Sequence, residues 1–315
     1  MSAMDPKSAL RRAFLEKLGP ALSENVPLSA MSSFGIGGPA DLFIEARTEA
    51  ELEAAVSLAV AWKYPFYVIG GGNNILFDDA GYRGLIVRNR LEGVSLGEGR
   101  LTVLSGTGLP CVLREALGAS LTGLEFLAGI PGTVGGAVYG NAGAYGSSIG
   151  DAVEKAVVLR PGGERKTLAR ADLGFGYRDS ALKRAAGIVL SATLLCSPGD
   201  ARGSEARIRD ILEKRRVRHP PLGTACAGSY FKNFCPASGE RVAAGQLLER
   251  AGARGLSVGD AAVYEGHCNF IVNRGNARAA DVLALAAELK DRVERMSGIR
   301  LEEEVIYLRA DASLL

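Results

Sequence analysis

The sequence predicts an α+β protein in two parts, and three observations carry that expectation. Short apolar runs of strand length alternate with longer stretches at helical spacing. The 41 glycines are unevenly spread, with concentrations at 70–72 and between Gly123 and Gly146. A polar, turn-rich stretch, SPGDARGSE at 197–205, reads as a linker and separates a larger first part, to about residue 200, from a smaller α+β part after it.

Taken in order, TEAELEAAVSLAVAWKYP opens the ordered pattern as a helix. Thr48 with Glu51 three residues on makes a capping box, and Leu52, Ala55, Val56 and Ala59 share one face. Phe66–Ile69 is a short apolar strand that runs into the glycines at 70–72. Further strands are expected at 84–88, 101–104, 153–160 and 187–196. A basic helix, ARIRDILEKRRVR, follows the linker and ends at His219-Pro220-Pro221. Helices are expected over 241–251 and 279–297, the second closed by Gly298, and a last strand at 305–309. No repeat or low-complexity region interrupts this order.

Bulk composition narrows the function classes. Lys and Arg number 37 against 35 Asp and Glu, a formal charge of +2, which is too balanced for nucleic acid or membrane as the main partner. The first residues carry charges throughout and lack the apolar core of a secretory signal. Leu52–Trp62 is too short to span a bilayer. Five cysteines without a C-x-x-C argue against a metal site or disulfide framework and fit a reducing cytoplasm. A soluble cytoplasmic protein is expected, with no metal.

The two glycine stretches carry the chemistry. VIGGGNNIL, 68–76, is a strand entering a tight loop, Gly70, Gly71, Gly72, Asn73 and Asn74. Successive N–H groups there could form an anion nest, or the segment could be a glycine-rich hairpin. It is not a Walker loop, because no Lys-Ser/Thr follows the glycines. GLEFLAGIPGTVGGAVYGNAGAYG, 123–146, has eight glycines in 24 residues and a Pro131 turn, which rules out an ordinary helix. A backbone wrapped closely round a large phosphate-bearing cofactor explains it; tight helix-on-sheet packing is the other reading.

These stretches resemble the UDP-N-acetylenolpyruvoylglucosamine reductase family. The likeness continues through SSFGIGGPADLFIEA, FGYRDSALK, AGSYFKN, EGHCNFIVNRGNARAADVL and the terminal LEEEV, in order, from about residue 25 to 308. It implies a two-part FAD-binding domain of the vanillyl-alcohol-oxidase type over 1–200, core about 30–198, and a substrate-binding domain over 201–315. It further implies non-covalent FAD, NADPH as reductant, an enolpyruvyl ether of UDP-N-acetylglucosamine as substrate, and a monomer.

The resemblance also assigns residues. Ser229 falls on the family's proton donor, Arg178 on its catalytic arginine and Glu304 on its glutamate. Strand alternation places Glu304 on one face with Ile306 and Leu308, and Glu303 on the other with Val305 and Tyr307. The cofactor set is Gly70, Gly71, Gly72, Asn73, Asn74, Gly129, Ile130, Pro131, Gly132, Gly136, Asn141 and Gly143. Tyr145, Lys232, Asn233 and His267 are expected at the nucleotide substrate, although His267 could equally be a satisfied surface histidine.

Three positions depart from the family pattern: Asn73 for a usual serine, Phe234 for a proline, and Gly35 for a polar or basic residue. Length and the lack of an inserted clamping loop point to the shorter of the family's two forms. A flavin-dependent alcohol oxidase would lack the Arg178, Ser229 and Glu304 set, and a catalytically silent nucleotide-binding module would have no reason to keep it.

Overall fold

The computed structural model describes residues 6–237 and 240–312. The outer ends of the two expected domains, residues 1–5 and 313–315, lie outside the described residues. The chain forms two compact units, and a single cut near residue 200 does not separate them. The first takes the residues up to Val26, Ala40–Gly71 and Gly84–Leu212; the second takes Pro27–Pro39, Gly72–Arg83 and the chain from Glu213 onward.

Backbone pairing explains why two early segments join the second unit. Ile75–Phe77 lies parallel to Ile306–Leu308, with Ile75 opposite Ile306 and Phe77 opposite Leu308. The Gly38 N–H donates to the Asp78 carbonyl at 2.9 Å, and the Ser33 hydroxyl donates to the Cys226 carbonyl at 2.7 Å. Long-range pairing of this kind leaves no local signal in the sequence.

The first unit contains two sheets. One has the strand order Leu22–Pro27, Pro39–Ala46, Tyr82–Asn89, Phe66–Ile69, the last two parallel. The helix Glu49–Ala61 buries Leu52, Ala55, Val56 and Ala59 in a cluster with Phe14, Ile44, Leu85 and Val87, the face read from the sequence. Its capping box forms as expected, with the Glu51 N–H on Thr48 Oγ1 at 3.2 Å and the Thr48 N–H on the Glu51 carboxylate at 3.0 Å.

The other sheet is antiparallel, ordered Arg165–Ala169, Val153–Leu159, Ile188–Leu195, Arg100–Leu104, Val94–Gly97. Helices Leu109–Gly118 and Val134–Gly140 cover it, and Val112, Val134 and Val138 join Leu101, Val103 and Leu194 in one core.

In the second unit, Cys226–Ser229, Phe270–Asn273, Ala261–Val263 and Ser257–Val258 form an antiparallel sheet in that order. The helix Ala279–Ser297, bounded as the sequence predicts, buries Val282, Leu285, Ala286, Leu289 and Val293 against Phe231, Leu247, Val263 and Ile271. Its first two N–H groups are capped from far away: Ala279 and Ala280 donate to the Asp79 carboxylate at 2.8 and 3.1 Å. The expected helix over 241–251 is shorter, Ala244–Arg250.

The expected linker at 197–205 is a correction. A helix begins at Ala201 and runs to Arg218, because Asp200 accepts the N–H groups of Arg202 and Gly203, each at 3.0 Å. Ser204 is fully buried, its hydroxyl donating to Glu125 at 2.5 Å, and Arg207 reaches the same carboxylate at 2.6 Å. The linker reading took Asp, Gly and Ser for turn formers, whereas here they start a helix and anchor it.

Burial pushes the Glu125 carboxyl upward, but the bonds from Arg207, Ser204 and the backbone outweigh it and hold the pKa at about 2. The folded value is depressed, so its contribution to stability is present above the ordinary carboxyl range and is lost as pH falls toward 2. Glu125→Gln should cost roughly 2–3 kcal/mol at neutral pH, where it leaves Arg207 without its counter-charge. Urea unfolding at a series of pH values should also show a shallower acid loss in the variant than in the parent.

Candidate active site

In the second unit the structure brings Ser229 and Glu304 together through one residue, Tyr230. The Glu304 N–H donates to the Tyr230 carbonyl at 2.8 Å, and Phe231 and Glu303 form an antiparallel bridge one step on. The Lys232 N–H then donates to the Glu302 carbonyl, also at 2.8 Å. Segments 229–232 and 302–305 therefore run antiparallel, with the Ser229 and Glu304 side chains half-buried.

Ser229 is placed by a break in the sheet. The register shifts between Cys226, opposite Val272, and Ser229, opposite Phe270. Gly228 lies in the shift at φ +77°, a left-handed conformation that turns the chain before the serine.

The alternation argument for Glu304 does not hold. The regular strand starts only at Ile306, and Glu303 and Glu304 are both half-buried. Period two fails because the segment changes partner: Glu304 is bonded to Tyr230, whereas the Ile306 N–H donates to the Asn74 carbonyl at 3.0 Å. Glu302 pairs with Lys232 at 3.1 Å and Glu303 with Lys290 at 2.9 Å.

The remaining expected residues of this unit have these surroundings. Asn74 donates its side-chain amide to the Glu304 carbonyl at 3.0 Å and so braces the glutamate's backbone. Asn73 is half-buried, and Gly72 takes φ +67° because a side chain there would collide with the Met31 carbonyl. Asn233 accepts the Ala244 N–H at 3.1 Å, at the start of the helix Ala244–Arg250.

His267 is not a surface histidine. Its ring is 5.7 Å from that of His219 and 5.1 Å from that of Phe270, and its Nδ1 accepts the Asn269 N–H at 3.2 Å. Burial lowers the pKa of both histidines, that of His219 to about 4. Cys226, three residues before Ser229, is half-buried, and its thiol pKa is raised by loss of solvent.

Arg178 belongs to the first unit and sits at the tip of a tight turn. Gly176 and Asp179 bond each other's backbone at 3.0 and 3.2 Å, and Arg178 takes φ +54°, which is uncommon for a residue with a side chain. Strain of this kind persists where surroundings enforce it. Asn141 donates to the Gly176 carbonyl at 2.7 Å, Lys183 donates to the Arg178 carbonyl at 2.7 Å, and Ser180 donates to the Tyr139 carbonyl at 2.7 Å. The guanidinium reaches the Gly143 carbonyl at 3.0 Å.

Two expected cofactor residues therefore serve the protein itself. Asn141 is buried, and its amide is engaged at both ends, accepting the Gly150 N–H at 3.0 Å while donating to Gly176. Gly143 is a glycine because a side chain would strike Ser147 and Ser148 of the short hairpin beside it. Tyr145 is exposed at the tip of that hairpin.

The other glycines leave a surface suited to a diphosphate. A side chain at Gly70 would collide with the Thr133 hydroxyl, so the loop after Phe66–Ile69 and the loop before Val134–Gly140 meet. Gly129 and Gly132 take φ +71° and +118° on either side of Ile130 and Pro131, and Gly129, Pro131 and Gly136 are exposed. Neither 66–71 nor 128–141 contains an acidic residue, so backbone N–H groups and the Thr133 hydroxyl can face an anion there without a competing carboxylate. That fits FAD, which Gly70, Gly71, Gly129–Gly132, Thr133 and Gly136 would hold in this unit. Among the described residues no cluster of three His, Cys, Asp or Glu is arranged for a metal, and no helix is long and apolar enough to cross a membrane.

Fold and glycine surface define a FAD-binding oxidoreductase of mixed helix and strand. The family model described as a FAD binding domain matches residues 40–169, and that described as the UDP-N-acetylenolpyruvoylglucosamine reductase C-terminal domain matches 220–308. The reductase of Solibacter usitatus is 42% identical over 304 residues, covering 91% of this chain and 97% of that protein. That of Geotalea uraniireducens is 40% identical over 303 residues, covering 96% and 98%. The crystal structure of the Thermus caldophilus enzyme superposes with a TM-score of 0.76 at 35% identity, covering 90% of this chain and 98% of that one. The chain belongs to the UDP-N-acetylenolpyruvoylglucosamine reductase family.

No atom lies within 4 Å of where a Gly228 side chain would begin, so only backbone strain opposes one. Gly228→Ala should lower the unfolding free energy by about 1–2 kcal/mol, and Gly228→Asn by less, because Asn tolerates this conformation. Urea titration of the three proteins checks the order.

Proposed function

We propose that the protein reduces the enolpyruvyl group of UDP-N-acetylglucosamine enolpyruvate to the lactyl ether of UDP-N-acetylmuramate, a step toward peptidoglycan. The observation that carries this reading is the backbone lock of Ser229 to Glu304 through Tyr230, in a chain whose family is named for that reaction. The chemistry FAD supplies when bound is hydride delivery to the substrate's methylene carbon, with NADPH as the reductant.

The protein's own residues meet what remains. Addition of hydride to the methylene carbon leaves an electron pair on the neighbouring carbon, delocalised into the carboxylate. Arg178, a permanent cation, pairs with that carboxylate and lowers the cost of the added charge. Glu304 assists at the same group. Ser229 donates its hydroxyl proton to the carbon, completing the C–H bond, and solvent returns a proton to the serine oxygen. A hydroxyl is a weak acid, yet adequate against so basic a carbon when held within reach.

Lys232 meets the nucleotide's diphosphate, exchanging Glu302 for a phosphate oxygen, while Asn233 and His267 border the same ligand. Gly72 and Asn73 continue the cofactor loop.

Purified protein should be yellow, NADPH should bleach it, and the enolpyruvyl sugar should restore the colour. A colourless protein, or a reduced flavin indifferent to the sugar, overturns the assignment. In stopped flow, Ser229→Ala should reduce its flavin at the parent's rate and reoxidise it about 10²–10⁴-fold more slowly. Equal slowing of both halves would remove the serine from proton delivery.

A further inference from the structure

Asn269 is 3% exposed, and every polar group of its side chain is engaged by the peptides that follow Ser229. The Tyr230 N–H donates to its backbone carbonyl at 2.8 Å, the Phe231 N–H donates to its Oδ1 at 2.9 Å, and its Nδ2 donates to the Phe231 carbonyl at 2.9 Å. Its own N–H is fixed on His267 Nδ1.

The pattern is that of a missing strand. Pairing between Cys226–Ser229 and Phe270–Asn273 ends at Ser229 opposite Phe270, and from there a side-chain amide satisfies both polar groups of Phe231. An amide offers a donor and an acceptor in one plane for this at any pH; an ionised carboxylate accepts twice, and an apolar chain does neither. Phe231 is itself 1% exposed, so loss of the amide strands two buried backbone groups.

On the upstream side Cys226 is held, its carbonyl by the Ser33 hydroxyl at 2.7 Å, and Gly228 at φ +77° turns the chain before the serine. The peptides downstream of Ser229 fix its orientation from the other side. Tyr230 is held on both edges, its N–H by Asn269 and its carbonyl by Glu304, so the same clamp sets the register of the glutamate. We infer that Asn269 is a positioning residue for proton delivery: its amide fixes the peptides after Ser229 so that the hydroxyl is presented to the substrate carbon with Glu304 in register beside it. This rests on the role given to Ser229 above.

The test compares Asn269→Leu, Asn269→Asp and the double variant Ser229→Ala/Asn269→Leu in stopped flow. Flavin reduction by NADPH should stay within about twofold, while reoxidation by the enolpyruvyl sugar falls on the order of 100-fold in Asn269→Leu. The double variant should be no slower than Ser229→Ala alone, because the amide acts only through the serine. Asn269→Asp should be slow near pH 8 and recover toward pH 5.5, roughly, since a protonated acid restores both bonds to Phe231.

Parent-like reoxidation in Asn269→Leu, or full multiplication of the two losses in the double variant, overturns the inference. If Asn269→Leu does not fold, a pH-independent Asn269→Asp overturns it instead. Failure of the functional reading looks different: Ser229→Ala, or the sugar itself, is then without effect on the parent's terms, and this inference falls with it.

Discussion

The three-residue parallel pairing of Ile75–Phe77 with Ile306–Leu308 is the constraint on which the second unit depends. It draws a segment from the first quarter of the chain into a core that the last third makes with Phe34 and Ile36. Around it, Asp78 accepts the Tyr307 hydroxyl at 2.5 Å and donates its N–H to the Leu308 carbonyl at 3.1 Å. Asp79, next along, caps the helix Ala279–Ser297. Just before the pairing starts, Asn74 donates its side-chain amide to the Glu304 carbonyl, so the segment leading into that strand holds the glutamate's backbone.

Asparagine recurs at the joints. Asn141 holds the turn that carries Arg178, Asn74 holds the carbonyl of Glu304, and Asn269 holds the peptides after Ser229. Each uses its amide on the backbone. The protein thereby braces a tight turn, a strand entry and a strand end, places where regular pairing alone would not hold the chain.

Much of this was legible in the sequence where the cause is local. The capping box of Thr48 and Glu51, the buried face of 49–61 and the bounds of 279–297 need only their own residues. The helix from Ala201 was hidden because Ser204 is buried by Glu125, 79 positions away. The alternation through Glu304 failed because the partner strand changes inside a four-residue span. Asn269 stood in a quoted motif unread, since an asparagine between Cys268 and Phe270 has no period and both its partners lie 38 residues back. A buried asparagine beside a left-handed glycine shows its purpose only once the chain is folded.

Cys226 has a consequence for chemistry directed at this protein. A thiol three residues from Ser229 invites the idea of an electrophilic ligand that captures it and stays. The burial that raises the pKa of the Cys226 thiol keeps it protonated at neutral pH, and only the thiolate attacks an electrophile at useful speed. A warhead aimed there must bring its own base or tolerate slow capture. The same property slows oxidation of the Cys226 sulfur, which also proceeds through the thiolate.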